Sequence, residues 1–424
     1  MSQLSPKALL DEILQLAMKK QASDIHLKAG IMPVIRKHGK LRPISSDYPT
    51  LSNHQIDDIA FGIMEEVQKR AFRENKQIDL GYSIPSVGRF RVNVFRQQGT
   101  TRMVIRYIPT QVPMLEELNM PGVLTKIANY ERGLVLVTGA TGSGKSTTLA
   151  AILDYINRNK SKHIITVEDP VEFILRDRKS VVSQIEIGTD SLSFGSALRS
   201  ALRQDPNVIL IGEMRDKETI EIAMTAAETG HLVISTLHTS DATETVHRIL
   251  SVFPPHQHSQ MRYQLASVLK AVISMRLARR LDQKGFVPAV EIMINNPRIA
   301  ELISDPARTA EIVSVIEESR TPWEMQTFDQ ALFQMVKDQK IDIKEAMQLA
   351  TNPENFALKQ SGISAESDLN KWKVSDKTEA SAISGSGWRG LQELELEDHT
   401  KMKKPEEEED RTPAPVKWMK KLAK

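Results

Sequence analysis

Residues 139–146 read Gly-Ala-Thr-Gly-Ser-Gly-Lys-Ser, and the apolar run Leu134-Val135-Leu136-Val137 stands just before them, across Thr138. A buried strand that turns into a helix through a glycine-rich loop is the setting this spacing requires. Gly139, Gly142 and Gly144 allow tight turns that bring backbone N–H groups close to an anion. The helix that follows aims its positive end at the same place. Lys145 adds a point charge for outer phosphate oxygens, and the Ser146 hydroxyl can ligate Mg²⁺. Leu149, Ile152, Leu153 and Ile156 share one helical face, as a helix packed on a sheet needs. The candidate nucleotide contacts are therefore Gly139, Ala140, Thr141, Gly142, Ser143, Gly144, Lys145, Ser146 and Thr147. The ligand class is a nucleoside triphosphate, ATP, with Mg²⁺.

Outward from this loop, composition sets limits. A chain of 424 residues, 40% hydrophobic, has room for two or three domains with proper cores. A formal net charge of +2 carries no footprint of a nucleic-acid binder, so no direct nucleic-acid partner is expected. The absence of cysteine excludes disulfides and thiolate metal sites and suits a reducing cytoplasm. No apolar stretch approaches the roughly 18 residues of a membrane span. Residues 4–20 mix acids, bases and leucines as an amphipathic helix does, without a signal-peptide core.

Three regions follow along the chain. Residues 1–112 are expected to form a small α+β domain: a helix over 6–20, strands over 24–27, 34–36 and 40–42, a helical stretch over 52–75, and strands over 89–96 and 101–108. His38-Gly39 and Gln97-Gln98-Gly99 read as hairpin turns. Proline punctuation at 109–113 marks a linker. Residues 113–355 alternate apolar strands (134–138, 164–167, 208–211, 232–237) with helices (among them 194–203 and 218–229). That pattern implies a mostly parallel sheet covered on both faces, with the nucleotide at the carboxyl ends of the strands. Residues 356–424 read as a mostly disordered, charged tail with Ser384-Gly385-Ser386-Gly387 and an acidic run over 406–410. The tail's basic end over 416–422 could dock a partner or an anionic surface.

The other strand ends carry chemistry suited to a terminal phosphate. Glu168, in Glu168-Asp169-Pro170-Val171-Glu172, can orient or deprotonate an attacking water. Glu213, in Gly212-Glu213-Met214-Arg215-Asp216, can hold Mg²⁺ directly or through water. A common form of this element has Asp before the Glu; here Gly212 takes that place. His231 and His238 bracket the fourth strand, and a histidine at a strand end can sense a phosphate by hydrogen bonding. Arg89, Arg91 and Arg106 in the first region are candidate partners for transition-state charge. If functional, they make catalysis depend on closure of the two domains on the nucleotide.

With these residues assembled, the chain resembles the secretion-type, ring-forming ATPases of bacterial type IV pili, and among them the retraction branch, the PilT/PilU family. The matching segments are SDIHL (23–27), GRFRVN (88–93), RGLVLVTGATGSGKSTTLAA (132–151), HIITVEDPVEF (163–173), ALRSALRQDP (197–206), GEMRD (212–216) and AETGHLVISTLHT (227–239). The resemblance implies a RecA-like P-loop ATPase core domain preceded by a PAS-like N-terminal domain, α/β in class. It also implies a homo-hexamer. Under it Glu168 is the catalytic carboxylate and Glu213 the Walker B acid. His238 neighbours the γ-phosphate, His231 belongs to the same box, and Arg89, Arg91 and Arg106 approach the nucleotide. Partners would be an inner-membrane pilus platform protein and related pilus ATPases, at a cytoplasmic site against the inner membrane at the pilus base. The missing four-cysteine zinc site argues for the retraction side. Within it, GEMRD resembles PilT. By contrast, MQTFDQALFQM (325–335), EAM (345–347) and the long tail resemble PilU, and Arg298–Asp305 departs from a C-terminal retraction motif, so the balance leans to PilU.

Three uses stay open: a motor that drives pilus retraction, an accessory ring coupled to another motor, and, more distantly, a small-molecule kinase using the same loop.

Overall fold

The computed structural model describes residues 5–37, 40–85, 87–108, 112–283 and 285–360. The first part of the chain builds α1 (Pro6–Lys19), β1 (Asp24–Lys28), β2 (Val34–Lys37), β3 (Lys40–Pro43), α2 (Asn53–Gly62), α3 (Glu66–Asn75), β4 (Gln77–Ile84), β5 (Gly88–Gln97) and β6 (Thr100–Ile108). The Ser5 side chain caps α1 by accepting from the Ala8 N–H, and the helix buries Leu10, Ile13, Leu14 and Ala17. The strands form one antiparallel sheet in the order β3-β2-β1-β6-β5-β4. Along β5, Phe90, Val92 and Val94 are buried while Arg89 and Arg91 alternate with them, as the period of two demands.

Two expectations change here. The helical stretch over 52–75 is two helices, because Glu65 and Gln68 form a second capping box that starts α3 afresh. β4 was not expected. Its inward residues Leu80, Tyr82 and Ile84 are interleaved with polar ones and Gly81, which hides the strand from an apolar-run criterion.

The second part builds α4 (Val123–Ala128), β7 (Gly133–Thr138), α5 (Lys145–Asn159), β8 (His163–Glu168), β9 (Val181–Glu186), α6 (Phe194–Ala201), β10 (Val208–Ile211), α7 (Lys217–Glu228) and β11 (Leu232–Leu237). It continues through α8 (Ala242–Ser251), α9 (His258–Val268), β12 (Leu269–Arg279), β13 (Phe286–Ile294), α10 (Pro297–Ser304) and α11 (Ile312–Glu318). Seven strands pair in the order β13-β12-β7-β11-β10-β8-β9, parallel except for the β12–β13 hairpin. Every residue of β7, β10 and β11 is buried, so these strands read as continuous apolar runs, the mark of a parallel sheet covered on both faces. Register sets Thr138 beside Leu237 and Val167 beside Ile211, so the carboxyl ends of β7, β11, β10 and β8 lie in one row.

The last helices, α12 (Phe328–Lys337), α13 (Ile343–Leu349) and α14 (Pro353–Gln360), gather Phe328, Leu332, Ile341, Ala346 and Phe356 into a small core over Ala278, Val287 and Ala289. Arg276 from β12 ties it down: its guanidinium lies 3.8 Å from the Phe328 ring centre and donates to the Leu349 carbonyl and the Thr351 hydroxyl. The expected break between 355 and 356 therefore falls inside α14, where Phe356 is buried. The rest of the expected tail, residues 361–424, and most of the linker at 109–113 lie outside the described residues. Among the described residues no helix is long and apolar enough to cross a membrane.

Candidate active site

The row of strand ends borders a cavity of about 580 Å³, within the range of small-molecule sites. The loop 139–144 contributes Thr141, Gly142 and Gly144 to one wall. Gly139 has φ +140, and a Cβ on it would lie 2.5 Å from the Met275 carbonyl oxygen, so no side chain fits. Gly144 opens α5 at φ +96 with no side-chain cap, leaving the first N–H groups of the helix without a side-chain acceptor. Among the described residues the buried Ser143 hydroxyl also has no hydrogen-bond partner. Thr141, Gly142, Gly144, Lys145, Ser146 and Thr147 line the cavity. Lys145 Nζ donates to the Gly139 and Ala140 carbonyls at 2.8 and 2.9 Å. Burial holds its pKa below the usual lysine value, with Glu213 and Glu172 pulling the other way. This wall is a cradle of N–H groups and one cation, built for an anion.

The facing wall holds the acids. Glu168 ends β8 and accepts hydrogen bonds from the Thr166 hydroxyl at 2.7 Å, the Gln184 amide at 3.2 Å and the Glu172 N–H at 3.3 Å. Burial raises its carboxyl above the ordinary range, and those hydrogen bonds oppose the rise. Glu213 follows β10 and lies between two basic groups, Arg215 at 2.7 Å and His238 at 3.6 Å. The hydrogen bond from Arg215 holds its pKa below the usual value. A Cβ on Gly212 would stand 3.3 Å from the Val167 carbonyl oxygen and 3.4 Å from Glu168 Cα. The small residue keeps the approach of β10 to the end of β8 free of a tight contact at the Val167 carbonyl.

Arg91 and Arg106 are register partners on β5 and β6, and both line the cavity from the other sheet. Arg106 also donates to Asp24 at 2.9 Å, and Arg91 to Asp79 at 3.4 Å.

Five expected contacts are not among the lining residues: Gly139, Ala140 and Ser143, which belong to the loop itself, and Arg89 and His231, which fall elsewhere. Arg89 does not line the cavity; it pairs with Glu186 at the end of β9. His231 precedes β11 at the end opposite His238, roughly 20 Å away at a strand's rise per residue. There its ring nitrogen meets the Ala226 carbonyl at the close of α7, so this chain's own fold gives His231 a structural place. The sequence reading gave no role to Arg215, Glu172, Phe173, Gln184 or Thr236, all of which line the cavity. Arg215 and Glu172 stood inside segments already singled out; Gln184 was hidden because β9 was not recognised as a strand.

For a divalent cation the donors are the Ser146 hydroxyl and the Glu213 carboxylate. Among the described residues no group of three or more His, Cys, Asp or Glu is arranged to hold a metal by itself. That donor set suits a hard cation held mainly by phosphate and water, as Mg²⁺ is beside a triphosphate.

The family model described as type II/IV secretion system protein matches residues 3–392. The PilT type IV pilus retraction ATPase of Pseudomonas aeruginosa is 45% identical over 347 residues, covering 82% of this chain and 99% of its own length. The PilU type IV pilus ATPase of the same organism is 39% identical over 348 residues, covering 82% and 90%. The crystal structure of the pilus retraction motor PilT with bound ADP matches with a TM-score of 0.76 at 41% identity, covering 81% of this chain and 97% of that one. Identity is thus higher to PilT than to PilU, against the lean drawn from the C-terminal segments.

Proposed function

From the premise that this chain belongs to the type II/IV secretion system protein family and is an ATPase, we propose that it is a homo-hexameric motor whose ATP hydrolysis drives retraction of a type IV pilus. The observation that carries this reading is the cavity in which a phosphate loop, two strand-end carboxylates, a histidine and two arginines from a separate sheet meet. The loop N–H groups and Lys145 bind the β- and γ-phosphates. Ser146 and Glu213 would hold Mg²⁺, which neutralises phosphate charge when bound. Glu168 positions the attacking water and takes its proton, and His238 hydrogen-bonds the terminal phosphate. Arg91 and Arg106 meet the charge that develops there, so splitting ATP loosens the grip of one sheet on the other. The N-terminal sheet is read as the PAS-like module of this family and the seven-stranded sheet as its RecA-like core. The partners are a pilus platform protein and related pilus ATPases, at the cytoplasmic face of the inner membrane.

The test is hydrolysis by the purified chain and by the Lys145→Ala/Glu213→Ala double variant. Turnover is expected to fall by a factor of about 10³ or more; unchanged turnover refutes the site. Light scattering should return a six-chain particle. A second reading, an accessory ring that assists another motor, draws on the PilU match and on the departure of α10 from the family's retraction motif. Restoring this chain alone to a strain lacking all its paralogues separates the two, since robust retraction there rules out a purely accessory role. Family membership leaves the kinase reading without ground.

A further inference from the structure

Glu186 closes β9 at the position in register with Glu168 on β8. The two strands stay joined past that point, because the Ile187 N–H donates to the Glu168 carbonyl at 2.9 Å. The Glu186 carboxylate is held on three sides. It accepts the Val171 N–H at 3.2 Å, which closes the loop leaving Glu168, and the Thr189 hydroxyl at 3.3 Å. Its third partner is the Arg89 guanidinium, from β5 of the other sheet. The pair is shielded from water, with side-chain exposures of 20% for Arg89 and 7% for Glu186. Gly81 on β4 makes the space: a Cβ there would stand 2.7 Å from the Arg89 guanidinium and 3.2 Å from Glu186. A shielded carboxylate with several donors is costly to strip of one partner. The contact therefore links the two sheets at the strand pair that carries Glu168.

From this juxtaposition we infer that Arg89 and Glu186 are positioning residues for Glu168: Arg89 is a strap between the sheets that sets the 168–171 loop, and not a phosphate ligand. The inference rests on the ATPase reading and deepens it. It divides the arginines of the first sheet by task, Arg91 and Arg106 facing the nucleotide and Arg89 holding the strand behind the carboxylate. Movement of one sheet against the other then reaches Glu168 through Glu186.

The test uses the full chain carrying Arg89→Glu, Glu186→Arg, or both. Each single change is expected to lower kcat about tenfold, a usual coupling within one ion-pair network, while Mg-ATP affinity stays within about twofold. The double exchange restores the ion pair but not the acceptor for the Val171 N–H, so kcat is expected to rise about threefold above either single variant without reaching the parent value. A double variant as slow as Arg89→Glu alone, or a large loss of nucleotide affinity in Arg89→Glu, overturns the strap. A parent chain without ATPase activity overturns the proposed function instead. A second measurement stands apart from activity and from the folding of the charge exchange. The chain has no cysteine, so Arg89→Cys with Glu186→Cys can be treated with a short bis-maleimide. A crosslink within one chain is expected; none, or crosslinks only between chains, refutes the pairing.

Discussion

Glu168 combines two opposed influences, burial that raises its carboxyl and hydrogen bonds that lower it. To take a proton from water it must be ionised, so hydrolysis is expected to fail as pH drops through its raised pKa. Gln184→Leu deletes one of the stabilising donors, and the acid limb of the kcat profile should move to higher pH; an unmoved limb would remove Glu168 as the group behind it. Arg91→Ala and Arg106→Ala should each lower kcat, by up to about 10³, with much smaller effects on nucleotide binding; stopped-flow binding and steady-state turnover separate the two. Glu291, buried on β13 and accepting the Ala242 N–H at 2.9 Å, is pushed up to about 7, chiefly by desolvation. As pH rises from its unperturbed value of 4.5, the unfolded chain releases this proton before the folded one does, so folding stability is lost up to about 7. Glu291→Gln keeps an acceptor and has no proton to lose, and should gain about 3 kcal/mol on the parent across that window. Urea titrations at both ends of the window measure the difference, and a constant offset contradicts the shift.

At the scale of elements, the aliphatic strands of the parallel sheet were legible in sequence, and so were β1, β2, β3, β5 and β6 of the antiparallel one, the exposed β3 included. Leu134–Thr138 and Val208–Ile211 contain almost nothing but aliphatic residues, so no neighbour is needed to recognise them. β9 and β12 escaped because they carry Gln184, Glu186, Lys270 and Arg276 among their apolar residues. Those polar groups find partners only in three dimensions: Gln184 on Glu168, Glu186 on Arg89, Arg276 on the Leu349 carbonyl. Gly212 is the comparable case at a strand end. Gly212→Asp would restore the commoner Asp-Glu form, yet its Cβ would stand 3.3 Å from the Val167 carbonyl oxygen, an approach the neighbouring strand end must yield to. The cost should be about 1–3 kcal/mol of stability, with a loss of turnover. A variant as stable and active as the parent shows that the two strand ends do not need this closeness.

For the whole molecule, the last small core tests what α14 contributes to the described fold. Truncation after residue 355, the boundary expected from composition, removes the buried Phe356, whereas truncation after 360 keeps it. Phe356→Ala should cost about 3–5 kcal/mol, and the shorter truncation a similar amount. The shorter truncation should therefore unfold at a lower urea midpoint than the longer one. Equal midpoints for both truncations would mean that α14 adds nothing to the core.

The phosphate loop and the α/β class were written in local order, because a glycine-rich turn between an apolar strand and an amphipathic helix is a property of neighbouring residues. The acids at the ends of β8 and β10 were legible for the same reason, each following an aliphatic run. The division of labour among Arg89, Arg91 and Arg106 was not. All three alternate along paired strands, and which of them meets the cavity and which meets Glu186 depends on where a second sheet lies. His238, at the carboxyl end of its strand, was already set nearest the γ-phosphate in sequence, but that His231 belongs to the opposite end and to the close of α7 was decided by the fold. Chemistry carried by consecutive residues is encoded in their order, while chemistry made by residues from different sheets exists only once burial brings those sheets together.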